Sequence, residues 1–248
     1  MATRKLWNIV EELKTPRYKW MELSHPVSPE TPHWVGFKPM TAVEKALDFH
    51  EDGFDVVAYG YYIVSQYGTH IDCPAHFVPD GRTLEKMPID NLLFPLCVID
   101  VSSKVNEDND YALTVEDIQD YESKYGRIPD NAFVAMRSDW SITHASDYEN
   151  NDVDGNPHYP GWTLEALQFL VEKRKVGAVG HEPTDTDSPA LGLGWIGERY
   201  ILQQDKFQIE VMKNLDQVPA AGAILLCSWP SVVGGVGFNA RCVAVFEE

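Results

Sequence analysis

The sequence predicts a single α/β domain over residues 1–248. From residue 96 onward, segments with strand character alternate with segments that have helical periodicity, which is typical of α/β folds. The chain has 248 residues, of which 44% are hydrophobic and 23% charged, and this is enough for one well-formed core. Neither a low-complexity linker nor an internal repeat marks a second domain.

In the first third of the chain the pattern predicts a helix, a loop and a strand. Apolar residues at helical spacing predict a helix over residues 6–14, which Pro16 ends. A short extended piece near Trp20 then leads into a proline-rich stretch that cannot form regular helix. Residues 55–65 are rich in Val, Tyr and Ile, so we expect a strand that runs directly into the segment 68–77.

The remaining elements follow in alternation. Apolar runs predict strands over 96–101, 132–137 and 176–179. Thr114 and Thr163 have the residue type of a helix N-cap, and they predict helices over 114–125 and 163–174. A helix up to residue 204 and strands near 207–212, 223–228 and 241–246 complete the prediction.

The charge and composition of the chain exclude some classes of binding partner. The formal net charge of −18 repels nucleic acid phosphates and anionic membrane surfaces, so we expect neither partner. No apolar stretch is long enough to span a bilayer, and charged residues interrupt any signal-peptide pattern near the start, so we expect a cytoplasmic protein. The four cysteines form no C-x-x-C pair and read as reduced, mostly buried thiols.

The segment Gly-Thr-His-Ile-Asp-Cys-Pro-Ala-His-Phe at 68–77 carries the strongest chemical signal. His70 and Asp72 are two residues apart, so an extended backbone points both side chains to one face, where they could bind one cation. His76 follows four residues after Asp72, within reach for proton transfer. The spacing alone leaves an alternative open, in which the imidazole and the carboxylate form a structural hydrogen-bonded pair.

The other sequence motifs do not predict a further functional site. The glycines at 192, 194 and 197 spell G-x-G-x-x-G, but no strand leads directly into them, so we do not expect a dinucleotide site. The chain has no G-x-S-x-G nucleophile elbow. Cys73 should point away from His70 and Asp72 by the strand period, which favours packing over nucleophilic catalysis.

Segment 68–77 resembles the H-x-G-T-H-x-D-x-P-x-H-F signature of the cyclase family, which includes bacterial kynurenine formamidase and isatin hydrolase. The signature is long and mixes uncommon residue types at fixed spacing. Further segments resemble family elements along nearly the whole chain: 21–26 with Pro32 and Trp34, 135–140, 180–187, 210–215, and Arg241 before the last strand.

The resemblance implies roles for individual residues. His70 and Asp72 would be metal ligands, Glu210 a carboxylate ligand from a distant strand, and His76 the proton-transfer residue. Two positions depart from the family pattern, because Gln66 replaces the first histidine of the signature and Glu198 replaces a histidine that usually binds a second metal. Oxygen ligands favour manganese or magnesium over zinc, and the number of metals stays open. His181 is a further candidate ligand, since its loop should lie near the metal.

The resemblance also implies a fold and a reaction. We expect a single mixed domain of the swivelling β/β/α, cyclase-like fold, with a divalent metal ion, Mn²⁺ or Zn²⁺ with Mg²⁺ as an alternative. The expected reaction is hydrolysis of a small amide, formamide, lactam or cyclic imide, with aromatic side chains flanking a planar substrate. The alternatives are a catalytically silent member that binds a metal or ligand, and a lactonase or dehydratase. Members usually form homodimers or homotetramers. The expected substrate-binding aromatics are Trp20, Trp34 and Phe37.

Overall fold

A nine-stranded mixed sheet runs through the protein in the order β1-β13-β11-β5-β7-β9-β10-β4-β12. The structure is a computed structural model, and it describes residues 4–40, 42–47, 56–192 and 194–248. The strands of this sheet are β1 Tyr18–Glu22, β4 His70–Asp72, β5 Leu93–Asp100, β7 Phe133–Arg137, β9 Ala178–His181, β10 Phe207–Glu210, β11 Ala223–Ser228, β12 Gly237–Asn239 and β13 Arg241–Glu247.

Two short strand pairs, six α-helices, short 3₁₀ turns and one π-helix accompany this sheet in the described residues. The pairs are β2 Ala42–Leu47 with β3 Ala58–Tyr62, and β6 Ala112–Leu113 with β8 Gly161–Trp162. The helices are α1 Lys5–Leu13, α2 Ser102–Glu107, α3 Val115–Tyr125, α4 Trp140–Thr143, α5 Leu164–Gln168 and α6 Ile196–Gln203. Within the described part of the chain, no helix is both long and apolar enough to cross a membrane.

The centre of the sheet is parallel and buried on both faces. Strands β5, β7, β9 and β10 pair in parallel, with α3, α5 and α6 in the connections between them. Along β7, Phe133 and Ala135 belong to one apolar core while Val134 and Met136 belong to the other, as the strand period requires. Each large apolar side chain buried in this way contributes about 1.5–3 kcal/mol.

Helix α3 begins as the sequence predicts. The hydroxyl of Thr114 accepts the backbone N–H of Asp117, and the Asp117 carboxylate accepts the backbone N–H of Thr114 at 2.8 Å. This reciprocal capping box satisfies two backbone donors that the helix itself cannot bond. Thr163 caps α5 in a similar way by accepting the N–H of Ala166.

Two expectations about local structure are corrected. The helix expected over 163–174 is α-helical only to Gln168 and continues as a π-helix over Phe169–Arg174. The strand expected over 55–65 is described only as β3, and irregular backbone separates it from β4; residue 55 lies outside the described residues. Gly68 has φ +62°, a left-handed conformation that breaks an extended run just before His70.

Candidate metal centre

The candidate site forms where β4 pairs with β10. The two strands are antiparallel, with His70 opposite Glu210 and Asp72 opposite Gln208. Directly opposed side chains on one face of such a pair lie within contact distance. Four polar side chains therefore meet on one face, while Ile71 and Ile209 alternate to the other face and pack in the apolar core.

The hydrogen bond of His70 decides which ring nitrogen faces this cluster. Nδ1 of His70 lies 2.8 Å from the carbonyl oxygen of Gly68, which can only accept, so Nδ1 carries the proton. Nε2 then points at the carboxylates, 3.3 Å from Asp72 Oδ2 and 3.5 Å from Glu210 Oε2. Burial opposes the charged ring, yet Asp72 raises the pKa of His70, so a proton on Nε2 takes the place that a cation would occupy. Metal-binding histidines usually have this arrangement, in which a carbonyl fixes the tautomer from the far side of the ring.

The strand β10 ends abruptly after Glu210. Val211 adopts φ +54°, a conformation that is rare for a β-branched residue. Surrounding hydrogen bonds hold it there: its N–H donates to the carbonyl of Pro183, and its carbonyl accepts the hydroxyl of Thr69 at 2.6 Å. The end of β10 is thereby tied both to the 181–188 loop and to the residue next to His70.

His76 lies close to two carboxylates of the cluster. It closes a short 3₁₀ turn, Pro74–His76, and its Nε2 lies 3.9 Å from both Asp72 Oδ1 and Glu198 Oε1. The Gln66 amide nitrogen lies 3.4 Å from Nδ1 of His76, and the Gln66 oxygen accepts the hydroxyl of Ser65. Gln66 therefore holds the ring of His76, with its own oxygen already bonded. His76 is 30% exposed, so it can reach a bound substrate.

Gly237 provides the space for this arrangement. It lies opposite Asp72 on β12, and a Cβ at this position would stand 2.6 Å from Gln66 Nε2 and from the Ile71 carbonyl, and 3.0 Å from Asp72 Oδ1. No side chain fits such a gap, so glycine is required by the close approach of the site to the backbone.

The site concentrates negative charge in a buried volume. Burial opposes ionisation of Asp72, yet the adjacent His70 holds the pKa of this carboxyl below its usual value. Burial, reinforced by the charge of Asp72, raises the pKa values of Glu198 and Glu210 well above normal. Burial and the neighbouring Asp187 raise the pKa of Asp185 to about 7. A bound cation would relieve this repulsion.

The residues fit a divalent metal ion. Ligand atoms of His70, Asp72 and Glu210 lie within 4.8 Å of one another, and so do those of Asp72, His76 and Glu198 and those of Asp185, Glu198 and Glu210. Asp72 Oδ1 and Asp185 Oδ1 are buried without a hydrogen-bond partner. Buried polar atoms are rarely left unpaired, and a cation would satisfy these two oxygens. One imidazole with several carboxylates is a donor set for a divalent ion.

His181 differs from His70 in its tautomer. The indole N–H of Trp162, which can only donate, lies 3.3 Å from His181 Nδ1, so that nitrogen accepts. Burial lowers the pKa of His181 to about 3, and the neutral ring carries its proton on Nε2. Nε2 lies 3.4 Å from Glu210 Oε1 and makes no hydrogen bond there. A protonated nitrogen cannot bind a metal, which argues against the ligand role expected from the sequence.

A cavity of about 200 Å³ opens onto the cluster. Trp34, Phe37, Phe77 and Trp195 line it together with Thr184 and the polar residues of the site, Gln66, His70, Asp72, His76, Asp185, Glu198 and Glu210. A larger groove, of about 750 Å³, lies around His25 and Trp229. Its lining includes one histidine and one carboxylate, so it offers fewer candidate metal ligands than the smaller cavity. The side chains therefore favour the smaller cavity as the functional one.

Trp20 is a correction to the sequence interpretation. It lies on β1, at the opposite end of the sheet from β4 and β12, and its indole N–H donates to the Leu13 carbonyl at 2.8 Å. It does not line the cavity, whereas Trp34 and Phe37 do. Trp20 was expected among the substrate-binding aromatics, but the pairing of β1 with β13 carries this side chain away from the cavity.

Four residues of the site went unrecognised in the sequence. Gln208 precedes Glu210 by two residues on the same strand, so the strand period could have placed it in the cluster. Phe77 directly follows His76 and is the last residue of the segment that resembles the family signature. Asp185 and Trp195 carry no comparable signal, because only the folded loop brings the indole N–H within 2.9 Å of the Asp185 carboxylate.

The chain is similar to known proteins over nearly its whole length. It is 29% identical over 234 residues to an isatin hydrolase of Roseibium aggregatum, covering 90% of this chain and 88% of the relative. The structure of isatin hydrolase A from Labrenzia aggregata, bound to benzyl benzoate, superposes with a TM-score of 0.90 at 31% identity, covering 98% and 100% of the two chains. An isatin hydrolase bound to the product analogue thioisatinate gives 0.89 at 27% identity, with both chains fully covered.

These likenesses confirm the expected fold, a mixed α/β arrangement with a curled half-barrel sheet. The family model Cyclase, described as "Putative cyclase", matches residues 21–188. This match includes the whole of segment 68–77, together with the loop that carries His181 and Asp185. Since it spans more than half of the chain, the protein belongs to the cyclase family.

Proposed function

We propose that this protein is a metal-dependent hydrolase that opens a planar cyclic amide of the isatin type. The observation that carries the proposal is the convergence of His70 Nε2, Asp72 and Glu210 at one cavity, with the Gly68 carbonyl fixing the His70 tautomer. The relatives that are similar over nearly the full chain include isatin hydrolases, which supports the same class of C–N bond for this chain.

The chain's own residues divide the work around the cation. A divalent ion held by His70, Asp72 and Glu210 would polarise a carbonyl oxygen and make hydroxide available near neutral pH. His76 accepts a proton at Nε2 and returns it to the departing nitrogen. The Gln66 amide lies beside Nδ1 of His76, which turns Nε2 toward the cavity. Nε2 accepts a proton in the tautomer that carries the other ring proton on Nδ1.

The aromatic walls select a flat substrate. Phe77 lies beside His76 with ring centroids 4.7 Å apart, and Trp195 continues this wall at 6.3 Å from Phe77. Trp34 and Phe37 contact each other edge to face at 5.1 Å and line the same cavity. A cavity of about 200 Å³ between such walls suits a compact planar ring, which stacking and apolar burial would hold against the polar cluster.

The donor set favours manganese. It offers one imidazole nitrogen and carboxylate oxygens, whereas zinc sites are usually richer in nitrogen or sulfur. We propose Mn²⁺ as the working ion, with Mg²⁺ and Zn²⁺ as the comparisons. His181 would stand beside Glu210, with Nε2 3.4 Å from Oε1, rather than act as a ligand.

The test is a hydrolysis screen on protein stripped of metal and then reloaded with one ion at a time. Isatin, an N-formyl aniline, a cyclic imide and a lactone of similar size are offered in parallel. The proposal expects turnover of isatin or the cyclic imide, greatest with Mn²⁺. Turnover of the lactone alone would favour the lactonase alternative, and metal binding without any turnover would favour a silent family member.

We further propose that the protein forms a homodimer or a homotetramer. Its cytoplasmic location stays a prediction. Helix α1 buries none of its residues, and its apolar side chains Leu6 and Trp7 are 76% and 65% exposed. Apolar faces of this kind usually mark an interface. Light scattering on the purified protein measures the assembly, and a monomer at micromolar concentration would contradict it.

A further inference from the structure

Gln208 lies at the centre of the acidic cluster and is fully buried. Its amide nitrogen is 2.9 Å from Glu210 Oε1, 3.0 Å from Glu198 Oε1 and 3.4 Å from Asp72 Oδ2. Its amide oxygen accepts the hydroxyl of Thr186 at 2.6 Å. One amide thus contacts three carboxylates that come from three different elements of the fold.

The chemistry of these partners fixes which end of the amide faces them. Carboxylates that share a bound cation are ionised and only accept hydrogen bonds, so in the metal-loaded site the NH₂ group and not the oxygen points at Glu198 and Glu210. The two amide hydrogens match the two shortest contacts, and the Thr186 hydroxyl satisfies the oxygen on the other side. The orientation follows from the acceptors themselves.

The position of this amide nitrogen is one that a second cation could take. Asp72, Glu198 and Glu210 form a cage of carboxylate oxygens, and carboxylates around one point are typical of a divalent site. His70 Nε2 faces Glu210 Oε2, while the Gln208 nitrogen faces Oε1 of the same carboxylate. An N–H group carries partial positive charge and can hold these oxygens together without a metal.

We propose that the Gln208 amide stands in place of a second cation, so that this chain holds one metal ion, at His70, Asp72 and Glu210. The inference rests on the proposed metal site and adds its stoichiometry. It gives Glu198 the role of an acceptor for Gln208 rather than of a ligand in the resting protein. The positive end of a neutral side chain thus holds Glu198 beside Glu210, where the two charges would otherwise repel.

The test counts metal ions. Metal-stripped protein is titrated with Mn²⁺ by calorimetry, the bound metal is measured by elemental analysis after gel filtration, and electron paramagnetic resonance reports whether two Mn²⁺ ions are spin-coupled. Wild type should bind one equivalent and give an uncoupled spectrum. Gln208→Glu, which keeps the side-chain shape and adds a fourth carboxylate, should bind two and give a coupled spectrum.

Two further variants keep the result interpretable. Gln208→Ala removes the amide and leaves the three carboxylates free, and it should also bind a second ion. Gln203→Ala removes an exposed glutamine of α6 and should stay at one equivalent. Circular dichroism on each variant shows that the chain still folds before its metal is counted.

Each possible metal count either supports or overturns the proposal that the chain holds one metal ion. Two equivalents in wild type would overturn the proposal, as would a single equivalent in both Gln208 variants. Loss of the first metal in Gln208→Ala would also overturn it, because the amide oxygen would then be a ligand. Wild type without any metal would overturn the proposed function as well. One equivalent in wild type, two in the Gln208 variants and no hydrolysis would leave this inference standing and reject the proposed function.

Discussion

Glu210 stands directly opposite His70 across the antiparallel pair of β10 and β4, with Oε2 3.5 Å from Nε2. These residues are 140 positions apart in the chain, and the strand register alone brings them together. The same register sets Gln208 opposite Asp72, so one strand pair supplies the centre of the site. A slip of either strand by one residue would turn that strand's two site side chains to the apolar face.

Replacement of His76 should remove turnover without removing the metal. His76→Ala deletes the group that moves the proton, and we expect kcat to fall by roughly 100- to 10,000-fold. Because Nε2 is 3.9 Å from the nearest carboxylate oxygen, the loss should leave Mn²⁺ affinity within a few-fold. Steady-state kinetics and a metal titration check this. His158→Ala, in the 147–160 loop, is the control; unchanged activity in His76→Ala would reject the role.

Metal binding should stabilise the folded state. The carboxylates of Glu198 and Glu210 repel one another in a buried site, and a cation bound only by the native protein adds about 2.7 kcal/mol at one hundred times its Kd. We expect the midpoint of thermal unfolding to rise on addition of Mn²⁺ and to fall again with a chelator. Asp72→Asn should abolish this rise. Identical midpoints with and without metal in wild type would contradict the site.

A side chain at position 237 should disturb the site and the fold together. Gly237→Ala places a Cβ 2.6 Å from Gln66 Nε2 and from a backbone carbonyl. Overpacking of this kind lowers the free energy of unfolding by about 1–3 kcal/mol. Chemical denaturation measures the loss. The control is Gly194→Ala, where the nearest atoms belong to the flexible Ile196 side chain at 3.2 Å. Equal stability of the two variants would refute the close approach.

The indole of Trp195 should contribute to substrate binding in two separable ways. Trp195→Ala removes both the aromatic wall and the hydrogen bond to Asp185, and we expect KM for an aromatic substrate to rise by roughly 2- to 13-fold. Trp195→Phe keeps a ring and loses only the N–H. If stacking dominates, the phenylalanine variant should keep most of the affinity. An unchanged KM in Trp195→Ala would place the substrate elsewhere in the cavity.

A histidine outside the site should make stability depend on pH. Burial, and then the charge of Lys213, lower the pKa of His25 from 6.5 to about 4. Between these values the unfolded chain binds a proton that the folded chain does not, so stability is lost as pH falls from 6.5 to 4. The loss amounts to about 3 kcal/mol. Urea denaturation across this range should show the fall in wild type and a smaller one in His25→Gln. Equal slopes would contradict it.

Much of the fold could be predicted because local signals agree with the tertiary structure. Thr114 with Asp117 three residues later gave the start of α3, and alternating apolar runs gave the central strands. The π-helix after Gln168 could not be predicted, since nothing in the sequence of that segment separates it from an α-helix. That residues 1–248 form one domain stays a prediction.

The same distinction applies to the site: some of its residues could be predicted from local sequence signals, and others could not. His70, Asp72 and His76 were readable from their spacing, and the family signature added Glu210. Gln208 was missed because a glutamine in a strand is ordinarily an exposed polar residue, and only the pairing with β4 shows that its face is buried. The tautomer of His181 depends on Trp162, which is adjacent only in the folded protein.

The most direct test of the central claim is the rate of isatin ring opening by metal-stripped protein before and after one equivalent of Mn²⁺, followed by absorbance. We predict no turnover without metal, turnover with one equivalent, and none in His76→Ala loaded with the same ion. Ring opening by the stripped protein at the full rate would contradict the account, and so would a loaded wild type that leaves isatin and the cyclic imides intact.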